Sequence, residues 1–138
     1  MSRTARCACG RLTVTVDAEP AWVSTCHCDF CQRRTGSVFQ VGAYYPADVG
    51  LEVTGDTSVY NGLEVDGVGT IGGNSVSYHF CPTCGSTVFW VIDGPSASVA
   101  IAVGNFDDPD FDPPVMEFHT HTRHHWVPPV PGAEQVVE

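Results

Sequence analysis

Cysteine dominates the chemistry that this chain could perform. Seven cysteines occur in 138 residues, and three of them lie in the stretch CHCDFC, at Cys26, Cys28 and Cys31. The other four form two close pairs, Cys7 with Cys9 and Cys81 with Cys84. An odd number of thiols cannot be fully paired in disulfides, and a bridge between cysteines one residue apart would be strained. We therefore expect metal ligands, which closely spaced cysteines usually are in a reducing compartment.

The two cysteine pairs predict one closed site. In an extended strand, residues i and i+2 point to the same face, so Cys7 and Cys9 could offer two thiolates to one ion. The sequence CPTCG at 81–85 is a C-x-x-C turn followed by glycine, in which backbone N–H groups could bond the thiolates of Cys81 and Cys84. Together the four thiolates would make a tetrahedral structural zinc site.

Cys26, Cys28 and Cys31 then remain for a second ion. Three protein ligands leave a tetrahedral zinc one position for water or substrate, whereas four ligands close the site. Because thiolate donation weakens the ion as a Lewis acid, we expect it to exchange thiols more readily than to activate water. These three cysteines are the predicted catalytic residues.

Two alternatives stay open at this cluster. His27 could be a fourth ligand that closes the site, although alternation along an extended chain would turn it away from its two neighbours. Cys28 and Cys31 could instead form a redox C-x-x-C pair, although no βαβ pattern surrounds them.

The elements that must position the cysteines are predicted to be short β-strands. Alternating or β-branched segments occur at 12–16, 37–45, 75–80, 86–92 and 97–103. One short helix is predicted from Asp29 to Arg34, ending at Gly36. Glycine and proline in DGVGTIGGN (66–74) and PPVPG (128–132) supply turns rather than a linker. The sequence thus predicts one mainly β domain over residues 1–138, in which the CPTCG hairpin lies beside the N-terminal strand.

Composition narrows the classes of partner. The chain has sixteen carboxylates, six arginines and no lysine, for a net charge of −10, which argues against nucleic acid or anionic membranes. No apolar run is long enough to cross a bilayer, and the first sixteen residues carry no secretory signal pattern. We expect a globular protein of the cytoplasm.

The motifs and their order resemble those of a known family. C-x-C-G, C-H-C-x-x-C followed by a basic pair and T-G-S, F-C-P-x-C-G, G-N-F-D-D-P and a closing tail with histidine and tryptophan are similar to the glutathione-dependent formaldehyde-activating enzymes, which include centromere protein V. The resemblance runs from Cys7 to about the VPPVPG tail. It implies a β-tent of antiparallel sheets, a structural zinc on the two cysteine pairs and a second zinc on the CHCDFC cluster. It also implies a carbon–sulfur lyase reaction, written as formaldehyde plus glutathione giving S-(hydroxymethyl)glutathione.

Several residues near the cluster are candidates for substrate binding. Arg33 and Arg34 could clamp a ligand carboxylate, with at least one of them expected in solvent. Ser37, in the sequence TGS, could offer a backbone N–H at a turn or belong to an ordinary loop. Asp29 is expected to cap the helix rather than to orient a substrate.

Other features are interpreted as structural. We expect the histidines at 119, 121, 124 and 125 to be surface residues and not a third metal site. Trp90 and Trp126 are expected in the core, and the acidic stretch 107–112 is expected to be a solvated turn. Tyr44 and Tyr45 are expected to be strand residues.

Two further functions compete with the enzyme. A zinc-binding module without catalysis could recognise a protein partner, and a sensor could release metal when the three-cysteine cluster is oxidised.

Overall fold

The computed structural model describes residues 2–62, 71 and 73–138. This part of the chain forms eleven strands and one α-helix. In chain order they are β1 (Arg3–Arg6), β2 (Thr13–Val16), β3 (Trp22–Cys26), α1 (Asp29–Thr35), β4 (Gln40–Pro46), β5 (Leu51–Thr54), β6 (Ser58–Asn61), β7 (Val76–Phe80), β8 (Thr87–Ile92), β9 (Ser98–Ala102), β10 (Met116–Phe118) and β11 (Glu134–Gln135). Short 3-10 turns lie at Val103–Asn105 and Thr120–Thr122.

The strands form two sheets. The smaller sheet has the order β1-β2-β5, and the larger has the order β11-β10-β3-β4-β9-β8-β7-β6. Most neighbours are antiparallel, but β10 runs parallel to both β3 and β11. The predicted mainly β fold of antiparallel sheets is therefore confirmed, with a parallel edge added by the C-terminal segment.

The five segments predicted as strands correspond to β2, β4, β7, β8 and β9, with trimmed ends. The predicted helix is also present, and it ends as expected because Gly36 adopts φ 72°, a left-handed conformation that closes the last turn. Most of the predicted glycine-rich turn at 66–74 lies outside the described residues. An N-terminal strand was expected to carry Cys7 and Cys9, but β1 ends at Arg6, and the other five strands, β3, β5, β6, β10 and β11, were not predicted.

The larger sheet separates two cores. Alternation along β4 turns Ala43 and Tyr45 towards the smaller sheet, where they pack with Val14 and Val16 of β2. The opposite face carries an aromatic cluster in which Tyr44, Tyr78 and Trp90 pack together beneath Phe30 of α1. Trp90 is fully buried. Helix α1, which follows the sequence CHC, therefore packs against the aromatic face of the larger sheet.

Candidate metal centre

Four cysteines meet at the turn between β1 and β2. The Sγ atoms of Cys7, Cys9, Cys81 and Cys84 all lie within 4.8 Å of one another. The Cys7–Cys9 and Cys9–Cys81 sulfur separations are 3.6 and 3.7 Å. Sulfurs bound at about 2.3 Å from one tetrahedral ion are roughly 3.8 Å apart. This arrangement could hold a metal ion with four thiolates.

Both halves of this cluster are tight turns. Cys7 and Cys9 follow β1 instead of lying within it, so their expected strand geometry was wrong. Gly10, at φ 80°, donates its N–H to Cys7 O, and Gly85, at φ 81°, donates its N–H to Cys81 O. A left-handed glycine lets each loop reverse within a few residues and direct its thiols inward.

Neighbouring groups donate hydrogen bonds to the sulfur atoms of this cluster. The N–H of Leu12 donates to Cys7 Sγ at 3.3 Å, and that of Thr83 donates to Cys81 Sγ at 3.4 Å. Bonds from the hydroxyl and then the backbone of Ser86 lower the pKa of Cys84 to about 5. Thiolate is the form that binds metal, so the surroundings of Cys84 favour ligation.

The second cluster lies where β3 meets α1. Cys26 ends the strand, and Cys28 and Cys31 flank the first turn of the helix, with all three Sγ atoms within 4.8 Å of one another. Cys28 is itself the N-cap, because its sulfur accepts the N–H of Cys31 at 3.3 Å. The predicted capping role of Asp29 was therefore wrong: Asp29 lies in the first turn, where its charge favours the helix dipole.

The three sulfurs share negative charge unequally. Hydrogen bonds from Cys26 and then Cys31 lower the pKa of Cys28. The contact with Cys28 raises the pKa of the half-buried Cys26, and contacts with Cys26 and then Cys28 raise the pKa of the buried Cys31. Negative charge is therefore favoured at Cys28, and a bound cation would release the protons of the other thiols, as metal binding to thiols generally does.

His27 does not belong to this cluster. Its ring is fully buried, and Nε2 lies 2.9 Å from Glu117 Oε1, away from the sulfurs. Its backbone is fixed on both sides: His27 N–H donates to Phe118 O, and His27 O accepts from Gln32 Nε2 and Thr122 Oγ1. Alternation predicted this outward turn, and these bonds hold the chain between Cys26 and Cys28 in one conformation.

A cavity of about 460 Å³ opens beside the three cysteines. Aromatic side chains supply much of its wall, and polar side chains interrupt them. The lining residues include Trp22, Ser24, Phe30, Gln40, Tyr44, Tyr78, Phe118, His119 and Glu138. Trp22 stacks on Tyr44 with ring centroids 5.2 Å apart. Burial raises the pKa of Tyr44 to about 12 and also raises that of Tyr78, so both phenols keep their protons at neutral pH.

The expected substrate-binding residues have separate surroundings. Arg33 is exposed, which agrees with the expectation that at least one arginine is solvated. Arg34 is half-buried, lies 4.4 Å from the Tyr78 ring centroid and donates to the amide oxygen of Gln40. Arg34 and the exposed Ser37 line a neighbouring cavity of about 410 Å³. Gln40 lines both cavities, so Arg34 is one side chain away from the cysteine cavity.

His119 is the residue that sequence reasoning missed. It lines the cysteine cavity instead of the outer surface, and its φ of 54° makes it the one non-glycine residue with positive φ in the described chain. With the other histidines of 119–125, it was expected to be a surface residue. Only the parallel pairing of Phe118 with Cys26 brings it to the cluster.

The other structural expectations have mixed outcomes. Beyond the two cysteine clusters, no further group of three or more metal-ligand side chains lies close together among the described residues. Trp90 is buried as expected, but Trp126 is 62% exposed and the prediction for it was wrong. In the acidic stretch 107–112, Asp107 forms an ion pair with Arg6 at 2.9 Å. Tyr44 and Tyr45 are strand residues, as expected.

The family of the chain follows from a match over most of its length. Residues 2–122 match the family model described as glutathione-dependent formaldehyde-activating enzyme. The chain belongs to this family. No curated protein matches it at a significant level. The crystal structure of a Rhodobacter sphaeroides protein, a structural-genomics target, is similar in fold, with a TM-score of 0.54 and 22% identity over 77% of this chain and 91% of the other.

Family membership agrees with the two cysteine clusters that could hold metal. The matched range, residues 2–122, includes both clusters and most of the cavity residues, and the rest of the C-terminal segment lies beyond it. In the described chain, no helix is long and apolar enough to cross a membrane.

Proposed function

We propose that this member of the formaldehyde-activating family is a zinc-dependent enzyme of the carbon–sulfur lyase type. Its substrates are a small thiol and an aldehyde, and its product is their adduct. The observation that supports this proposal is a cluster of three cysteines, one fewer than a closed site uses, facing a cavity of about 460 Å³.

The donor sets of both clusters fit zinc. Cys7, Cys9, Cys81 and Cys84 would hold a structural ion, and Cys26, Cys28 and Cys31 would hold a second one with a position left for substrate. Bound there, zinc would favour the thiolate form of an incoming thiol and polarise an aldehyde oxygen.

The side chains of the cavity account for binding and charge. Tyr44, Tyr78 and Phe30 offer apolar surface to the carbon chain of a substrate. The hydroxyl of Ser24 and the amide of Gln40 offer hydrogen bonds to an aldehyde or alcohol oxygen. Arg34, stacked behind Tyr78, places a positive charge near the negative charge that the three thiolates carry.

The reaction needs no other reactant. The sulfur of the thiol forms a bond to the carbonyl carbon, the carbonyl π bond opens, and the thiol proton passes to the oxygen to give a hydroxymethyl thioether. The reverse step breaks the carbon–sulfur bond and returns the proton to sulfur. His119 lines the cavity and offers an imidazole nitrogen that could carry this proton.

The charges around the cavity favour a small, uncharged thiol. Glutathione has two carboxylates, yet none of the arginines in the described chain lines this cavity, which Glu138 does line. Arg34 is available from the adjoining cavity to one carboxylate at most. We infer that 2-mercaptoethanol is accepted at least as well as glutathione.

Exchange NMR on formaldehyde mixed with each thiol tests the proposal. The adduct also forms unaided, so the zinc-loaded protein is compared with Cys31→Ser and with Glu52→Gln, which changes an exposed side chain of β5. We expect acceleration by the native protein and by Glu52→Gln, and at least a hundredfold loss in Cys31→Ser. No acceleration by native protein that holds both ions would refute thiol–aldehyde chemistry.

Metal analysis separates the enzyme from its alternatives. Two zinc ions per chain, one of them removed by a mild chelator while the fold survives, would agree with an open second site. A single resistant ion would contradict it and favour a binding module. Release of one ion by peroxide, without any effect on adduct formation, would favour a redox sensor.

A further inference from the structure

A separate cavity of about 290 Å³ lies on the other side of β3 from the cysteine cluster. Alternate residues of the strand serve the two sides: Ser24 and Cys26 line the cysteine cavity, whereas Thr25 and His27 line the separate one. The proposed thiol–aldehyde reaction makes no use of this second cavity.

A buried carboxylate holds the ring of His27 through Nε2. Oε2 of Glu117 accepts hydrogen bonds from Val130 N–H and Gln135 Nε2, both at 2.8 Å, and from Arg123 Nη2 at 3.3 Å. Burial disfavours its charge, but the bonds from Gln135 and His27 outweigh burial and lower the pKa of Glu117. Because an ionised carboxylate only accepts, His27 Nε2 donates its proton to Oε1, at 2.9 Å.

Two buried polar atoms on this side lack partners. Within the described chain, neither His27 Nδ1 nor Thr25 Oγ1 has a hydrogen-bond partner, although His27 is fully buried and Thr25 is 2% exposed. Buried polar atoms in proteins are nearly always hydrogen-bonded, so two such atoms on side chains lining one cavity indicate a missing partner. A hydroxyl group both donates and accepts hydrogen bonds, so one hydroxyl can pair with the imidazole nitrogen and with the threonine hydroxyl.

The remaining wall determines the kind of molecule that carries this hydroxyl. It is mostly apolar, with Phe39, Val41, Phe111, Pro128 and Val130 among its members. Its charged members are the carboxylates of Glu117 and the exposed Asp112, and no arginine of the described chain lines it. An anion is therefore disfavoured, and an uncharged molecule with a compact apolar body is favoured.

We infer that this cavity is a binding site for a small uncharged hydroxyl compound, a phenol or a compact alcohol. Its hydroxyl pairs with His27 Nδ1 and Thr25 Oγ1, while its apolar body packs against the valine, proline and phenylalanine side chains. The site is distinct from the thiol–aldehyde cavity, and its occupancy does not depend on the function proposed there.

Phenol and toluene, which have similar shapes, test this inference on the full metal-loaded chain. We expect phenol to shift the amide and His27 side-chain signals saturably in ¹H–¹⁵N NMR spectra, with the largest shifts at Val41 and Val130. Toluene lacks the hydroxyl and should bind at least tenfold more weakly. Thr25→Val, which keeps the shape and leaves every cysteine in place, should weaken phenol several-fold and leave toluene unchanged.

Equal binding of phenol and toluene would overturn the inference, because the hydroxyl would then contribute nothing. Absence of saturable shifts would overturn it as well, and so would phenol shifts confined to Trp22 and Tyr44, which lie at the cysteine cavity. Metal content and spectral dispersion of Thr25→Val verify that this variant is folded, and Glu52→Gln, on the exposed face of β5, serves as a surface control.

Discussion

Gly42→Ala tests how tightly the aromatic face beside the metal cluster is packed. Gly42 lies in the middle of β4, and an added Cβ would be 2.8 Å from Trp90 Cζ2 and 3.0 Å from Tyr44 Cε2. Real Cβ atoms do not approach carbon that closely, so one of the rings must shift. Trp90 is fully buried and Tyr44 is 8% exposed, so neither ring can turn into solvent.

The cost follows from two opposing effects. Overpacking a filled core by a methyl group costs about 1–3 kcal/mol. Replacing glycine with alanine in a strand returns roughly 0.5–1 kcal/mol, because the unfolded chain loses freedom. We therefore expect a net loss of up to about 2.5 kcal/mol in the free energy of unfolding, centred near 1 kcal/mol, which lowers Tm by roughly 3–4 °C for a chain of this size.

Thermal unfolding of the metal-loaded protein measures this difference, with Gly50→Ala as the matched control. A Cβ at Gly50 meets nothing within 4 Å, and its φ lies outside the left-handed region, so that variant should be as stable as the native chain or slightly more stable. Equal Tm values for the two variants would refute the packing argument.

Three further perturbations address the metal site and the C-terminal segment. Replacing Cys9 and Cys84 together with serine should remove one metal equivalent per chain and the cooperative thermal transition; metal analysis that finds both ions retained would contradict the assignment of four ligands. His119→Gly should be more stable than His119→Ala by about 1 kcal/mol in chemical denaturation, since both lose the side chain but only glycine tolerates φ 54° without strain, and equal stabilities would count against backbone strain there. The pKa of Glu117 is lower in the folded chain than in the unfolded chain, so its ionised form stabilises the fold above the unfolded pKa, and this stabilisation is lost as the pH falls through the folded pKa. The Tm difference between native protein and Glu117→Gln should therefore be large at neutral pH and shrink on acidification, and a constant difference would exclude that linkage.

The strands that the sequence revealed are those with a local hydrophobic signal. Alternation in β2 and the β-branched runs of β8 and β9 identify their own buried faces. In contrast, β1 has the sequence RTAR and buries one alanine, and β10 has three residues. Their pairing with β2 and β3 stabilises them, so the information lies in the partner strand rather than in the segment itself.

The candidate site likewise contains residues that the local sequence predicts and residues that it does not. Cysteines are rare and closely spaced, so their grouping could be predicted from spacing alone and is confirmed as two clusters that could hold metal. His119 and Glu117 escaped prediction because each reaches its place through the parallel pairing of β10 with β3. Glu117 meets His27 across 90 positions of sequence, and no local pattern records such a contact.

Alternation along β3 and into the helix also explains why a histidine stands between two cysteines. Cys26 and Cys28 must face the same side to share an ion, so the residue between them has to face the opposite side. There it meets a buried carboxylate, and an imidazole can satisfy that carboxylate while its backbone is held by Phe118, Gln32 and Thr122. A shift of register by one residue would turn the thiols into the apolar cavity and the imidazole towards the aromatic one. The hydrogen bond between His27 and Glu117 therefore couples the orientation of the metal ligands to the C-terminal segment. A substitution at Glu117 should change metal affinity before it changes the shape of the cysteine cavity.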